Sequence, residues 1–255
     1  MGEITDSVKE LNYPKILMDK GEKLAKSLFG SSVNELAGSF TDSLRLRRFK
    51  NQIDILEKAE KHIKERGLNP KNIDLKILAP LVNFISLEEN PELQEIWAKL
   101  ITNIVTIEGR TLLKQNSLDI ISKISNEEVK ILNYIYEEFL IRREEKFKKW
   151  QKSPRLSKMK TKIEEFKINE FSFSLHKIGK DNSIDRFDLD LMISNLIVLG
   201  VIKWEVTVDV DSAEKSDTDP DDTSLDIDIS VDSNNAIELT HLGFEFILLC
   251  KLEEE

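Results

Sequence analysis

Apolar residues recur every three or four positions through residues 89–139, the most regular pattern of the chain. A helix start opens it, because Asn90 can cap free backbone N–H groups and Pro91 suits the first helical position. The stripe of apolar residues that follows predicts a helix with one buried face. Trp97 lies in the middle of that stripe, so we expect it to be a core residue and not a ligand-stacking one.

Further helices are predicted on both sides of this one. Ser125 and Glu128 have the spacing of a capping box and predict the start of a second buried helix. Towards the N-terminus, a long helix is predicted over Thr41–Gly67, with the glycine as its C-terminal cap. Another helix is expected from about Asp74, and Pro80 should kink it or make it start late.

The pattern changes after residue 183, where helical spacing gives way to alternation of apolar and polar residues. Alternation is typical of strands, and two such segments joined by a loop predict a hairpin. Together with the helix after Ser125, the order helix, helix, hairpin, helix resembles that of winged-helix regulators. The predicted elements are a helix from Ser183 or Asp185 to Gly200, a strand over 201–208, a return strand over 225–231 and a closing helix from Thr240.

The sequence therefore predicts a mainly α (α+β) protein. An N-terminal helical bundle is followed by a winged-helix-like unit with a β-hairpin wing and a basic helical insertion. The predicted domains are an amphipathic helical segment at 1–40, a helical domain at 41–115 and a winged-helix-like domain at 116–255. The last of these contains the basic insertion at 141–170 and an acidic wing loop at 209–224.

Composition and net charge limit which classes of protein function fit this chain. The chain has 255 residues, enough to bury a sizeable core, and a net charge of −10, which disfavours general binding to nucleic acid. Its single cysteine, Cys250, excludes an internal disulfide and fits a reducing compartment. The start of the chain is acidic and lacks the apolar core of a signal peptide, and no apolar stretch is long enough to span a bilayer. We expect a cytoplasmic protein.

Two basic segments are candidates for partner binding. One begins the long helix, and the other lies in the basic insertion, where aromatic residues alternate with lysines and arginines. Binding to single-stranded nucleic acid requires such a mixture of residues. The sequence nevertheless favours a solvated helical extension whose aromatic residues pack on the body of the protein. The candidate residues are Arg45, Arg47, Arg48, Lys148, Lys149, Trp150 and Lys152.

The segment 14–40 is amphipathic and is expected to dock on the core or to form an oligomer contact. A membrane-surface helix is the alternative, but the polar side of the segment carries too few lysines to favour it.

Catalytic and metal-binding motifs are not found in the sequence. The three histidines have no zinc spacing, and there is no P-loop or nucleophile elbow. The start of a calcium-binding loop has the spacing of Asp217, Asp219 and Asp221. However, Asp222 stands where that loop requires glycine, and Asp228 stands where it requires a bidentate glutamate. We therefore expect no enzyme activity, no catalytic residue, no cofactor and no metal.

Charge also argues against a reader of duplex DNA. A winged helix normally meets DNA with a basic helix and wing, whereas this helix begins Asp185-Arg186-Phe187-Asp188 and the wing is strongly acidic. We expect protein contact or self-association, no specific binding to duplex DNA, and at most a weak nucleic-acid contact.

Three segments resemble the bacterial abortive infection alpha family. They are P-E-L-Q-E-I-W-A-K-L-I from Pro91, D-I-I-S-K-I-S-N-E-E-V-K-I-L-N-Y-I from Asp119, and L-T-H-L-G-F-E-F from Leu239. The last is similar to the "leucine, threonine, x, x, glycine, x, x, phenylalanine" element that usually ends these proteins. One departure is Asn116-Ser117, where family members often carry His-Pro before the second helix.

The resemblance spans roughly residues 41–250 and implies a role in bacterial defence against phage, with no catalytic residue set to carry over. The sequence is compatible with two functions. One is a non-catalytic phage-defence protein that acts through protein–protein contacts or self-assembly. The alternative is a winged-helix transcriptional regulator or a nucleic-acid-binding protein that uses the basic insertion.

Overall fold

A computed structural model describes residues 19–29, 46–152, 162–163, 167–213 and 226–251. Within these ranges the protein is mainly helical and contains a small antiparallel sheet, which confirms the predicted fold class. The chain forms two compact units. The first comprises the chain up to Glu127 together with the chain from Glu245 onward, and the second is Glu128–Phe244.

Helices build the first unit. α2 packs against α3 and α4, and α3 packs against α5. The centre of this unit is apolar, with Trp97, Leu100, Ile101 and Ile104 all buried. The helices are α1 (19–29), α2 (Leu46–Glu65), α3 (Leu75–Ile85), α4 (Pro91–Thr106) and α5 (Thr111–Ile121).

The predicted start of α4 is confirmed. The side-chain oxygen of Asn90 accepts hydrogen bonds from the backbone N–H groups of Glu92 and Leu93, at 2.8 and 3.2 Å. Pro91 is the first helical residue. Trp97 is only 1% exposed, so its predicted place in the core is also confirmed.

Pro80 does not delay its helix. α3 begins at Leu75 and runs through the proline, so a late start was the wrong expectation. A proline cannot donate the hydrogen bond that the carbonyl of Lys76 would receive in a regular helix. Packing offsets this loss, because α3 buries Leu78 and Leu81 against the rest of the unit.

The second unit surrounds a three-stranded antiparallel sheet with the strand order β1-β3-β2. Phe173 of β1 pairs with Ile237 of β3, and Ile202 of β2 pairs with Leu239. All four side chains are buried and belong to the core. The elements are α6 (Asn126–Gln151), β1 (Ser172–Ser174), α7 (Leu175–Asn182), α8 (Arg186–Val198), β2 (Ile202–Ala213) and β3 (Asp226–Leu239), after which α9 (His241–Cys250) returns the chain to the first unit.

The first part of the predicted basic helical insertion belongs to a long helix, because α6 continues without interruption to Gln151. One predicted boundary in this unit needs correction. The acidic loop does not begin at residue 209, because β2 remains paired with β3 through Ala213. Valines still alternate with aspartates up to Asp211, so the strand pattern extends further than the density of acidic residues suggests.

β1 and α7 were not predicted from the sequence. Alternation in Phe171-Ser172-Phe173-Ser174 was the available signal, and Phe173 is almost fully buried. A three-residue strand is too short for a periodicity argument to detect with any weight.

The predicted domain division at 40/41 and 115/116 remains a prediction, and the two compact units divide at 127/128. Of the predicted segment 14–40, residues 19–29 form α1, and the remainder lies outside the described residues. The aspartates proposed as a calcium loop mostly lie outside them as well. Helices long and apolar enough to cross a bilayer are absent from the described ranges.

Candidate functional site

Helix α8 is the most distinctive surface element of the second unit. Asp185 caps its start, accepting hydrogen bonds from the backbone N–H groups of Phe187 and Asp188 at 2.9 and 3.1 Å. Gly200, with φ of 71°, follows its end. Its inner side packs on the sheet, where Ile193 and Leu196 are buried. The local sequence thus explains where the helix begins and ends.

The outer side of α8 is also apolar. Phe187, Leu191 and Val198 are 76%, 64% and 83% exposed. Their spacing of four and seven residues places them along one side of the helix, and we call these three residues the α8 face. Single exposed apolar residues are ordinary, but an exposed row of large ones is typical of a contact site.

Acidic groups accompany the α8 face. Asp185, Asp188 and Asp190 lie in or beside the first turns, and the only basic residue there is Arg186, 3.9 Å from Asp190. The backbone N–H of Asp188 holds the pKa of the Asp185 carboxyl below its usual value, while the hydrogen bond with Asp185 raises the pKa of Asp188. The helix start is therefore acidic at neutral pH and repels phosphate.

The end of α6 is basic. Lys148, Lys149 and Lys152 are exposed, and we call these three residues the basic tail. Lys148 forms an ion pair with Glu144 one turn earlier, at 2.7 Å, an exposed contact of little energetic weight. Trp150 is half-buried and stacks on the ring of Phe147, with the ring planes 6° apart. The predicted candidate residues Lys148, Lys149 and Trp150 therefore lie at the end of a helix, and their role in partner binding remains a prediction.

The other predicted site residues lie in the first unit or outside the described residues. Arg45 lies outside the described residues, and only the backbone of Arg47 is described. Arg48 is half-buried, and its Nε is a buried donor with no partner among the described groups. The two basic segments belong to different units.

The segment that begins at Leu239 forms hydrogen bonds with the turn between α8 and β2. The hydroxyl of Thr240 lies 2.6 Å from the carbonyl oxygen of Gly200 and 3.0 Å from that of Val201, and its oxygen accepts a hydrogen bond from the backbone N–H of Gly243 at 2.9 Å. A Cβ atom on Gly243 would lie 2.1 Å from the carbonyl oxygen of Val201. Glycine is thus required for the start of α9 to approach this turn.

These features define a mainly helical class of protein with a small antiparallel sheet. A threonine and a glycine form the start of its last helix. The chain belongs to the abortive infection alpha family, whose sequence pattern matches residues 42–250. This confirms the resemblance seen in the sequence and indicates a role in abortive infection, a form of defence against phage. No curated protein and no solved structure matches the chain.

Proposed function

We propose that this phage-defence protein acts without catalysis, through self-association in which the α8 face of one copy meets the basic tail of another. The observation that carries the proposal is the exposed apolar row on α8.

We assign the second unit to the winged-helix type. The order α6, β1, α7, α8, β2, β3, with β3 between the other two strands, supports this assignment. In helix-turn-helix proteins the second helix of the pair reads the major groove of DNA. In this unit that position belongs to α8.

The chemistry of α8 suits protein contact better than DNA. Reading a duplex requires basic and polar side chains at the groove, because phosphate contacts supply most of the affinity. Phe187 and Leu191 project apolar surface from the same positions, and the flanking side chains are aspartates. Large apolar residues surrounded by charged ones are typical of the centre and rim of a protein interface.

A second copy of this chain has the complementary surface. The basic tail opposes the charge of Asp185, Asp188 and Asp190, and the rings of Phe147 and Trp150 lie next to it as apolar contacts. Contact between two different surfaces of identical chains is head-to-tail, and such contacts build rings or filaments.

Sedimentation velocity over a range of concentrations tests the proposal. Wild-type protein should form dimers or larger species whose population falls at high salt, because part of the attraction is between exposed charges. The double variant Phe187→Glu, Leu191→Glu should remain a monomer and should lose protection in a phage plating assay. Leu112→Glu is the matched control, since Leu112 is 70% exposed on a helix of the first unit.

Charge reversal supplies the second arm of the experiment. Replacing the three lysines of the basic tail by Glu should also abolish association. A mixture of that variant with the α8 double variant should not form assemblies that continue to grow. A monomeric wild-type protein at the highest concentration tested, or full protection by the α8 double variant, would overturn the proposal.

A further inference from the structure

A concave pocket of 330 Å³ lies in the first unit, apart from the α8 face. The segment before α3 and the connection between α4 and α5 form its walls. Its lining is rich in polar and charged groups, including Lys71, Asp74, Glu108, Thr111 and Lys114. None of these residues belongs to the surfaces discussed above.

Lys114 is the unusual member of this pocket. It lies in the first turn of α5 and is only 5% exposed, although lysine is rarely buried. Its Nζ donates a hydrogen bond to the carbonyl oxygen of Ile107 at 2.5 Å. Burial lowers the pKa of its ammonium group, and the nearby carboxylate of Asp74 partly opposes that effect. A buried ammonium with three donors needs more than one neutral carbonyl to balance it.

Two ammonium groups, two carboxylates and the first turn of α5 line the pocket. Lys71 is a second ammonium at the rim, paired at 2.6 Å with Glu108, whose side chain is 80% exposed. Among the described residues, no side chain caps the first turn of α5, so its free N–H groups also attract negative charge. Arg110, the residue before the helix, pairs instead with Glu245 at 2.5 Å. Asp74 is the only acidic group of the lining besides Glu108.

We propose that this pocket binds a small oxyanion, the carboxylate or phosphate group of a soluble ligand, with Lys114 as the buried charge and Lys71 as its partner at the rim. The oxyanion supplies the charge that the Ile107 carbonyl cannot supply. This binding site is independent of the proposed self-association, because it belongs to the other unit.

Two probes, inorganic phosphate and acetate, test the site in the full-length protein at constant ionic strength. Lysine side chains labelled with ¹³C report binding by NMR, and the Lys114 signal should move and saturate with a Kd on the order of 1 mM or tighter. The probe with the lower Kd identifies the ligand class. Thermal unfolding with the same probes provides a second readout, since a ligand that binds only the folded state raises the Tm.

Matched variants separate this site from general anion effects. Lys71→Met should weaken binding by about tenfold, as loss of one charged hydrogen bond does, and Lys114→Met should abolish the shift in Tm. Lys76→Met, an exposed lysine on α3 outside the pocket, should leave both readouts as in the wild type. If Lys114→Met does not fold, the NMR titration of the wild type and of Lys71→Met decides the question. A Lys114 signal that does not respond to either probe, or equal binding by Lys71→Met, would overturn the proposal.

Discussion

Replacing Gly243 by alanine should destabilise the second unit strongly. The added Cβ would lie 2.1 Å from the carbonyl oxygen of Val201, where real Cβ contacts are not closer than 3.0 Å. The start of α9 would therefore have to move by at least 0.9 Å, the difference between these two distances. Movement cannot be avoided by a side-chain rotation, because the obstructing atom belongs to the backbone of Val201.

The size of the effect follows from three contributions. Overpacking of this kind costs about 1–3 kcal/mol, occasionally more. The displacement also disturbs the hydrogen bond of the Thr240 hydroxyl to the carbonyl oxygen of Gly200 and the one that this hydroxyl accepts from the backbone N–H of Gly243, worth about 1 kcal/mol each. Alanine in a helix offsets about 1 kcal/mol of this, since it is a better helix former than glycine. We expect a net loss of about 3 kcal/mol in the free energy of unfolding.

Urea unfolding followed by circular dichroism measures this loss, with Gly179→Ala as the matched control. Gly179 also lies within a helix, but its added Cβ would meet the flexible end of Leu189 at 3.1 Å. We expect that variant to stay within about 1 kcal/mol of wild type. The reasoning would be refuted by a Gly243→Ala protein as stable as the wild type, or by equal losses in both variants.

Three further predictions concern the core, a carboxylate and DNA. Trp97→Ala should cost about 3–5 kcal/mol of stability in the same urea assay; an unchanged unfolding midpoint with lost phage protection would instead indicate a functional tryptophan. Hydrogen bonds from Lys177 and Arg142, at 2.7 and 2.8 Å, lower the pKa of Glu138 in the folded protein. Its contribution to stability should thus be complete above pH 4.5 and should be lost as pH falls through the lowered folded pKa. Glu138→Gln should be less stable than wild type at neutral pH and equal to it in strong acid, with the exposed Glu137→Gln unaffected. In gel-shift titrations the protein should form no sequence-specific complex with duplex DNA, and any residual binding should disappear at higher salt and on charge reversal of the basic tail; a sub-micromolar, sequence-dependent complex that survives both would contradict this.

Local chemistry explains why the helix starts could be predicted from the sequence. Asn90 and Asp185 cap helices through bonds to N–H groups two and three residues away, so the signal and the structure lie within the same few residues. Gly67 and Gly200 adopt the positive φ that ends a helix for an equally local reason.

Predictions that depended on composition located segments without fixing the bounds of helices. The basic insertion was delimited by its charge, whereas the helix that contains its first part, α6, runs from Asn126 to Gln151. Charge affects which residues meet solvent and has little influence on where a long helix ends. β1 was missed because its three residues become a strand only through pairing with β3, which is distant in the sequence.

The sequence by itself determined the helix starts at Asn90 and Asp185, the apolar stripes and the net charge, because each depends on neighbours along the chain or on composition alone. Only the tertiary structure decided which apolar side of α8 is covered: Leu189 and Phe187 are both apolar in the sequence, but packing buries Leu189 and leaves Phe187 exposed. The same holds for Lys114, which resembles any helical lysine in the sequence. Its burial results from the packing of α5 against α3, and packing between distant segments is not encoded in any local pattern.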